Sequence, residues 1–258
     1  MENSMKSYIL KIYRGRPGKQ YWEEFELPFK PFENVISGLM SIQMNPINRK
    51  GERVEPVVWE QGCLEEVCGS CSMLIDGRPR QACTARIALL LKKSGNNFIT
   101  LAPFSKFPLI RDLIVDRTIM FENLKKVEAW IDVDGTYERG FGPDISPDKQ
   151  QMRHSLSTCM TCGCCVEACP QSNSKTNFVG PQIIAQVELF NTHPVGANRK
   201  HNRLHKMMES GGISDCGNAQ NCVKVCPKNI PLTDAIAAVA RDVTMEAFHE
   251  VFGLPGRE

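Results

Sequence analysis

The chain has 258 residues, enough for one large domain or two small ones. Apolar residues make up 42% and charged residues 23%, values of an ordinary folded protein rather than a disordered or fibrous one. Thirty-one Lys and Arg against 29 Asp and Glu leave a formal charge of +2, which gives no electrostatic case for a nucleic-acid partner. The longest apolar run, Ala235 to Ala240, is far short of the roughly 20 residues a membrane-spanning helix needs. The opening MENSMKSYILKIYRG carries neither an apolar core with a cleavage site nor an Arg-rich presequence, so the expectation is a mature N-terminus without an export signal.

In chain order, Tyr8 to Tyr13 and Tyr21 to Leu27 read as strands joined by the turn cluster Arg14-Gly15-Arg16-Pro17-Gly18. Asn34 to Met44 places Val35, Leu39 and Ile42 on one helical face, with Asn34 as N-cap. Val54 to Trp59 reads as a strand, Met73 to Ile75 with Asp76-Gly77 as a hairpin, and Phe98 to Ala102 as a closing strand. That order is the order of an α+β, ubiquitin-like (β-grasp) sheet. After Pro108, Ile110, Leu113, Ile114, Phe121, Leu124, Val127 and Ile131 follow helical spacing. Asp132 to Asp148 is rich in Gly, Pro and Asp and reads as a loop. Pro181 to Phe190, His201 to Met208 and Thr233 to Phe248 read as helices, with Ile236, Val239 and Val243 in the core. The expected division is therefore 1–107, a strand-rich domain, and 108–258, a mostly helical one.

Twelve cysteines are the outlying feature, and they are clustered: four from Cys63 to Cys83, five from Cys159 to Cys169, three from Cys216 to Cys226. Without an export signal, tight C-x2-C spacings point to metal rather than to disulfides. Cys63-x4-Cys68-x2-Cys71 followed by Cys83 matches the plant-type [2Fe–2S] pattern, with Gly62 and Gly69 suited to a tight loop and a zinc knuckle as the alternative. Glu65 and Glu66 inside that loop read as solvated or partner-facing. Cys159-x2-Cys162-x2-Cys165-x3-Cys169-Pro170 is the bacterial ferredoxin run, whose fourth cysteine serves the other cluster.

Cys216-x2-Ala219-x2-Cys222-x3-Cys226-Pro227 repeats that spacing, with Ala219 in the second ligand position. The exchange of fourth cysteines assigns Cys159, Cys162, Cys165 and Cys226 to a [4Fe–4S] cluster and Cys169, Cys216 and Cys222 to a second cluster. Alanine has no donor atom, so that second cluster is expected to be [3Fe–4S], an aconitase-like open cubane being the alternative. Cys164 is left over and reads as a buried structural thiol, with a redox-sensitive thiol as the other reading. No nucleotide fingerprint or hydrolase motif is present, so no catalytic residue is assigned. His201 and His205 are four residues apart on a basic helix and read as a solvated or partner-facing surface rather than as a metal site.

The two halves together, with Cys63-Leu64-Glu65-Glu66-Val67-Cys68-Gly69-Ser70-Cys71, Pro108-Leu109-Ile110-Arg111-Asp112-Leu113-Ile114-Val115-Asp116 and Asn221-Cys222-Val223-Lys224-Val225-Cys226-Pro227-Lys228, resemble the iron–sulfur subunits of succinate dehydrogenase and fumarate reductase (respiratory complex II). The resemblance implies a flavoprotein partner carrying FAD, a cytochrome b membrane anchor carrying haem b, and electron flow from flavin through [2Fe–2S], [4Fe–4S] and [3Fe–4S] to a quinone. It also implies a place on the cytoplasmic face of the bacterial membrane. Ubiquinone-linked members carry a Trp shortly after the first Cys-Pro and a His after the first three-iron ligand. Here Cys169-Pro170 continues Gln171-Ser172-Asn173-Ser174 and Cys216 is followed by Gly217, so the chain is more similar to the menaquinone-linked branch. The open alternative is a free ferredoxin-type carrier, or the iron–sulfur arm of another flavoenzyme such as a thiol-linked fumarate reductase.

Overall fold

The computed structural model describes residues 6–132 and 145–253. Most of the expected 132–148 loop lies outside the described residues. The chain runs through β1 (Ser7–Arg16), β2 (Lys19–Pro28), α1 (Val35–Met44), β3 (Ser72–Ile75), β4 (Arg78–Gln81), α2 (Ile87–Ser94), β5 (Phe98–Ala102), β6 (Leu109–Arg111) and β7 (Ile114–Val115). It continues through α3 (Thr118–Lys126), α4 (Pro147–Ser157), α5 (Cys164–Ala168), α6 (Pro181–Asn191), α7 (Lys200–Met208), α8 (Asn221–Val225) and α9 (Leu232–Phe252). Two compact units result: the first holds residues up to 117 together with 162–168, and the second holds the rest.

In the first unit the sheet order is β2-β1-β5-β3-β4, with β1 and β5 parallel and the other pairs antiparallel. Gly15 and Gly18 take φ of +115° and +77° in the β1–β2 turn, and Asp76 and Gly77 both take positive φ in the β3–β4 turn, as a tight two-residue hairpin requires. Asn34 caps α1, its side-chain oxygen accepting from Ser37 N–H at 2.9 Å, a contact contributing about 1 kcal/mol. Tyr8, Leu10 and Ile12 of β1, Phe25 of β2, and Val35, Leu39 and Ile42 of α1 form the buried core. Each such side chain contributes about 1.5–3 kcal/mol on burial. α1 lies close on β1 because residue 38 is Gly: a Cβ there would stand 2.9 Å from Tyr8 Oη.

Three expectations are corrected in this unit. Val54 to Trp59 joins no strand; Pro56 has no N–H to give a ladder, and Val58 N–H donates to Asp112 Oδ2 at 2.9 Å instead. Ile110 to Ile114 is not helical but forms the β6–β7 hairpin, turned at Asp112 with φ +47°. The unit therefore extends past residue 107: Asp112 Oδ1 accepts from Gly15 N–H at 2.8 Å, tying the hairpin to β1. The 162–168 segment also belongs here. Glu167 on α5 is buried and accepts from Ser105 N–H at 3.0 Å and Lys106 N–H at 3.1 Å.

In the second unit α6 packs on α9 and α7. Ile183, Ile184, Val187, Met207 and Val239 are its core, with Ile236 and Val243 half-buried against them. α7 is not basic on all sides. Arg203 is fully buried and donates to the carbonyls of Glu128, Gly196 and Trp130 and to Asn191 Oδ1 at 2.8–3.0 Å. Its four acceptors lie after α3, at the end of α6 and just before α7, so one side chain ties these segments together. Burial lowers its pKa, which a guanidinium tolerates without losing its charge.

Candidate metal centres

No disulfide joins any of the twelve cysteines. The loop from Cys63 to Cys71 is wound so that main-chain amides face sulfur. Val67 and Cys68 N–H each donate to Cys63 Sγ at 3.2 Å, Glu65 N–H to the same sulfur at 3.4 Å, and Cys63 N–H to Cys68 Sγ at 3.3 Å. Winding this tight needs the left-handed region at Leu64 (φ +62°), Glu66 (+59°) and Gly69 (+76°). The two non-glycine residues bear a strain that the loop's contacts must offset. Gly62 is required for another reason: a Cβ there would sit 2.9 Å from Cys68 Sγ. Glu65 is exposed, while Glu66 Oε1 accepts from Thr84 Oγ at 2.8 Å, beside Cys83.

Electrostatics around these sulfurs are polarised. Hydrogen bonds from the Ser70 side chain and from the Cys63 and Ser70 amides pull the Cys68 thiol down to about 6. Burial, with Cys71 beside it, pushes Cys83 up to about 12. Amides aimed at sulfur stabilise thiolate charge, whereas crowded buried thiols resist ionising together unless a cation is among them. This donor set suits a cationic iron–sulfur core held by Cys63, Cys68, Cys71 and Cys83.

Two residues that sequence reasoning passed over support the loop. Arg117 donates to the carbonyls of Gly69 (3.3 Å) and Ser70 (2.9 Å) and pairs with Glu60. Gln81 is buried, contacts Cys71 Sγ at 3.5 Å, and donates to Ser72 Oγ at 2.7 Å and to Cys164 Sγ at 3.7 Å. Cys164, the supernumerary thiol, is fully buried and faces Gln81; its hydrogen bond with Cys162, and then burial, raise its pKa. Neither Arg nor Gln carries a spacing signal, so only the structure finds them.

The two later cysteine runs share one local backbone. Thr161 and Asn218, each just before the second ligand position, have φ of +50° and +48°. Gly163 and Gln220, each just after it, are also positive, at +86° and +57°. Each run then enters a five-residue helix, α5 or α8, that ends before Cys-Pro. The internal repeat read from the cysteines is thus a repeat of conformation, Ala219 included.

Cys162 and Cys165 are buried in the first unit; Cys159 and Cys226, half-buried, lie in the second. Their grouping into one ligand set rests on spacing. Cys169, Cys216 and Cys222 are together in the second unit, lining one space whose wall also includes Pro170, Gln171 and Ala219. Burial raises the Cys222 pKa first, and the charges of Cys169 and Cys216 add to it. Three cysteines and one residue without a donor atom therefore line one space, a set that would suit a three-iron centre. Gln171 lies over Gly217: a Cβ on Gly217 would come 2.5 Å from Gln171 Nε2.

A strand-rich module with a four-cysteine loop, followed by a helical module with a duplicated cysteine run, defines an iron–sulfur electron-transfer protein. The family described as "2Fe-2S iron-sulfur cluster binding domain" matches residues 9–122, and "4Fe-4S dicluster domain" matches 155–230. The succinate dehydrogenase iron–sulfur subunit of Bacillus subtilis is 55% identical over 233 residues, 90% of each chain. The fumarate reductase iron–sulfur subunit of Wolinella succinogenes is 34% identical over 186 residues, covering 69% of this chain and 74% of that one. A chain of the Mycobacterium smegmatis Sdh1 complex in the apo form shares the fold, with TM-score 0.79 at 20% identity over 95% of this chain and 98% of that chain. The chain belongs to the family of iron–sulfur subunits of succinate dehydrogenase and fumarate reductase.

Proposed function

We propose that this chain carries single electrons between the FAD of a flavoprotein partner and a membrane quinone, within a succinate:quinone oxidoreductase. The observation that carries this reading is the space lined by Cys169, Cys216, Cys222 and Ala219 at the end of a duplicated cysteine run. A donor-free second position suits a one-electron three-iron relay and has no use in a free two-cubane ferredoxin. Cys63, Cys68, Cys71 and Cys83 would hold [2Fe–2S]; Cys159, Cys162, Cys165 and Cys226 would hold [4Fe–4S]; Cys169, Cys216 and Cys222 would hold [3Fe–4S]. Bound clusters supply one-electron redox chemistry over a wide span of potentials. The protein's share is to hold them, to aim the amides of Glu65, Val67 and Cys68 at sulfur, and to exclude water around the buried thiols.

No described helix is long and apolar enough to cross a membrane. Attachment at the cytoplasmic face would therefore run through a cytochrome b anchor subunit carrying haem b. Menaquinone is the proposed acceptor, supported by Gln171-Ser172-Asn173-Ser174 after Cys169-Pro170, with no Trp, and by Gly217 after Cys216, where ubiquinone-linked relatives carry His. The test is iron counting and EPR on the intact complex: about nine irons per chain, from two, four and three, with an oxidised-state three-iron signal. Zinc in these positions, or about ten irons with no such signal, overturns the reading. Quinone extracted from the complex tests the acceptor, and ubiquinone alone would refute menaquinone.

A further inference from the structure

α7 and α9 each present two ligand-type side chains to the other at helical spacing. His201 and His205 lie four residues apart on α7, their ring centroids 4.2 Å apart. Glu246 and Glu250 lie four apart on α9. His201 Nδ1 contacts Glu246 Oε1, and His205 Nε2 stands 2.6 Å from Glu250 Oε1. Ligand atoms of His201, His205 and Glu246 all fall within 4.8 Å of one another. Residues four apart on one helix share a face, so the pair on α7 is preset for chelation. The nearby cations Lys200 and Arg241 share one carboxylate, Asp242, at 2.7 and 3.2 Å, and the two carboxylates Glu246 and Glu250 outweigh the single positive charge that this leaves.

From these contacts we infer that His201, His205 and Glu246 form a site for a divalent transition-metal ion, with Zn²⁺ its best match, that staples α7 to α9. Two imidazoles and a carboxylate are a borderline donor set of the kind Zn²⁺ takes, with water in the fourth position. Zinc bonds of about 2.0–2.1 Å require any two donors within about 4 Å of each other. Rotation of the exposed His201 (65% exposed) closes the remaining distance onto the half-buried Glu246. Glu250 adds a second negative charge beside His205. His201 and Glu246 line an open groove with Leu204, Met245 and His249, so an ion can reach them without unfolding. The site is separate from all eleven proposed cluster ligands, and its zinc would be structural, taking no part in electron transfer.

The test is equilibrium dialysis of the intact, cluster-loaded complex against radioactive Zn²⁺, with iron and sulfide counted before and after. Wild type is expected to bind one zinc per chain with iron unchanged. His201→Ala/His205→Ala is expected to weaken that binding at least about 100-fold. Zinc should also slow amide exchange in α7 and the C-terminal half of α9 in wild type only. Equal zinc binding by wild type and the double variant, or none by wild type, overturns the proposal. Should the double variant lose iron, the isosteric Glu246→Gln carries the same comparison: weaker binding supports the site, and undiminished binding overturns it. Failure here leaves the cluster assignment intact, because that assignment is read from iron and EPR.

Discussion

Arg14 Nη2 and Asp112 Oδ2 meet at 3.3 Å, joining β1 to the β6–β7 turn with both side chains almost fully buried. The same guanidinium contacts Glu23 at 2.5 Å and the Pro56 carbonyl at 3.2 Å. Burial alone would lower the Arg14 pKa, but Asp112 and Glu23 outweigh it and raise the value. Removing one partner of such a network leaves a buried charge short of its counterion, which costs about 3–5 kcal/mol. Asp112→Ala is therefore expected to lower the thermal midpoint of the cluster-loaded protein severely. Asp112→Asn, which keeps an acceptor and tolerates positive φ, should lose about 1–3 kcal/mol. Equal midpoints for Asp112→Ala and wild type in a melting scan would refute the network's role.

Asp112 also explains why part of the fold was hidden in the sequence. Ile110, Leu113 and Ile114 have helical spacing, yet the chain turns at Asp112 because its carboxylate satisfies Gly15, Val58 and Arg14 at once. Long-range satisfaction of that kind leaves no local signal. α4 was hidden for the opposite reason: of its residues only Leu156 is buried, so no apolar period exists to read. The hairpins were legible because Gly15, Gly18, Asp76 and Gly77 stand where positive φ is needed. Most legible were the cysteines, whose ligand spacing is local. Arg117, which supports the first loop from far along the chain, and Gln81, whose place beside Cys71 follows no ligand spacing, could not be found that way.

Ala219 lines the same space as Cys169, Cys216 and Cys222. Ala219→Cys adds a fourth thiolate at the position that Cys162 occupies in the first run. The expected result is partial or full replacement of the oxidised-state three-iron EPR signal by a four-iron one, with iron content rising toward about ten per chain. An unaltered signal in iron-replete protein would count against the assignment.

Cys164 and Cys165 are neighbours with opposite expected phenotypes. Cys164 faces Gln81 and is proposed to hold no iron. Cys164→Ala should keep its full iron content and cluster spectrum, with a packing loss of about 1 kcal/mol. Cys165→Ala should lose the four-iron signal. Iron analysis of the two variants decides the matter, and iron loss from Cys164→Ala would require a new ligand set.

Glu188 of α6 is buried, and its Oε2 has no hydrogen-bond partner. Burial raises its pKa above the ordinary 4.5, the charge of Asp242 adds to this, and Lys200 and Arg241 oppose it. The folded protein therefore holds this proton at pH values where the unfolded chain has released it. Stability from the protonated carboxyl is fully present below about 4.5 and is lost as pH rises through the folded value. Glu188→Gln keeps the shape and removes the titration. The difference in thermal midpoint, Gln variant minus wild type, should grow in the variant's favour as pH rises from about 5, then level off. Both proteins carry the same clusters, so acid loss of iron cancels in that difference. A difference that is flat with pH, or that shrinks as pH rises, would show that Glu188 is ionised in the folded state at its ordinary value.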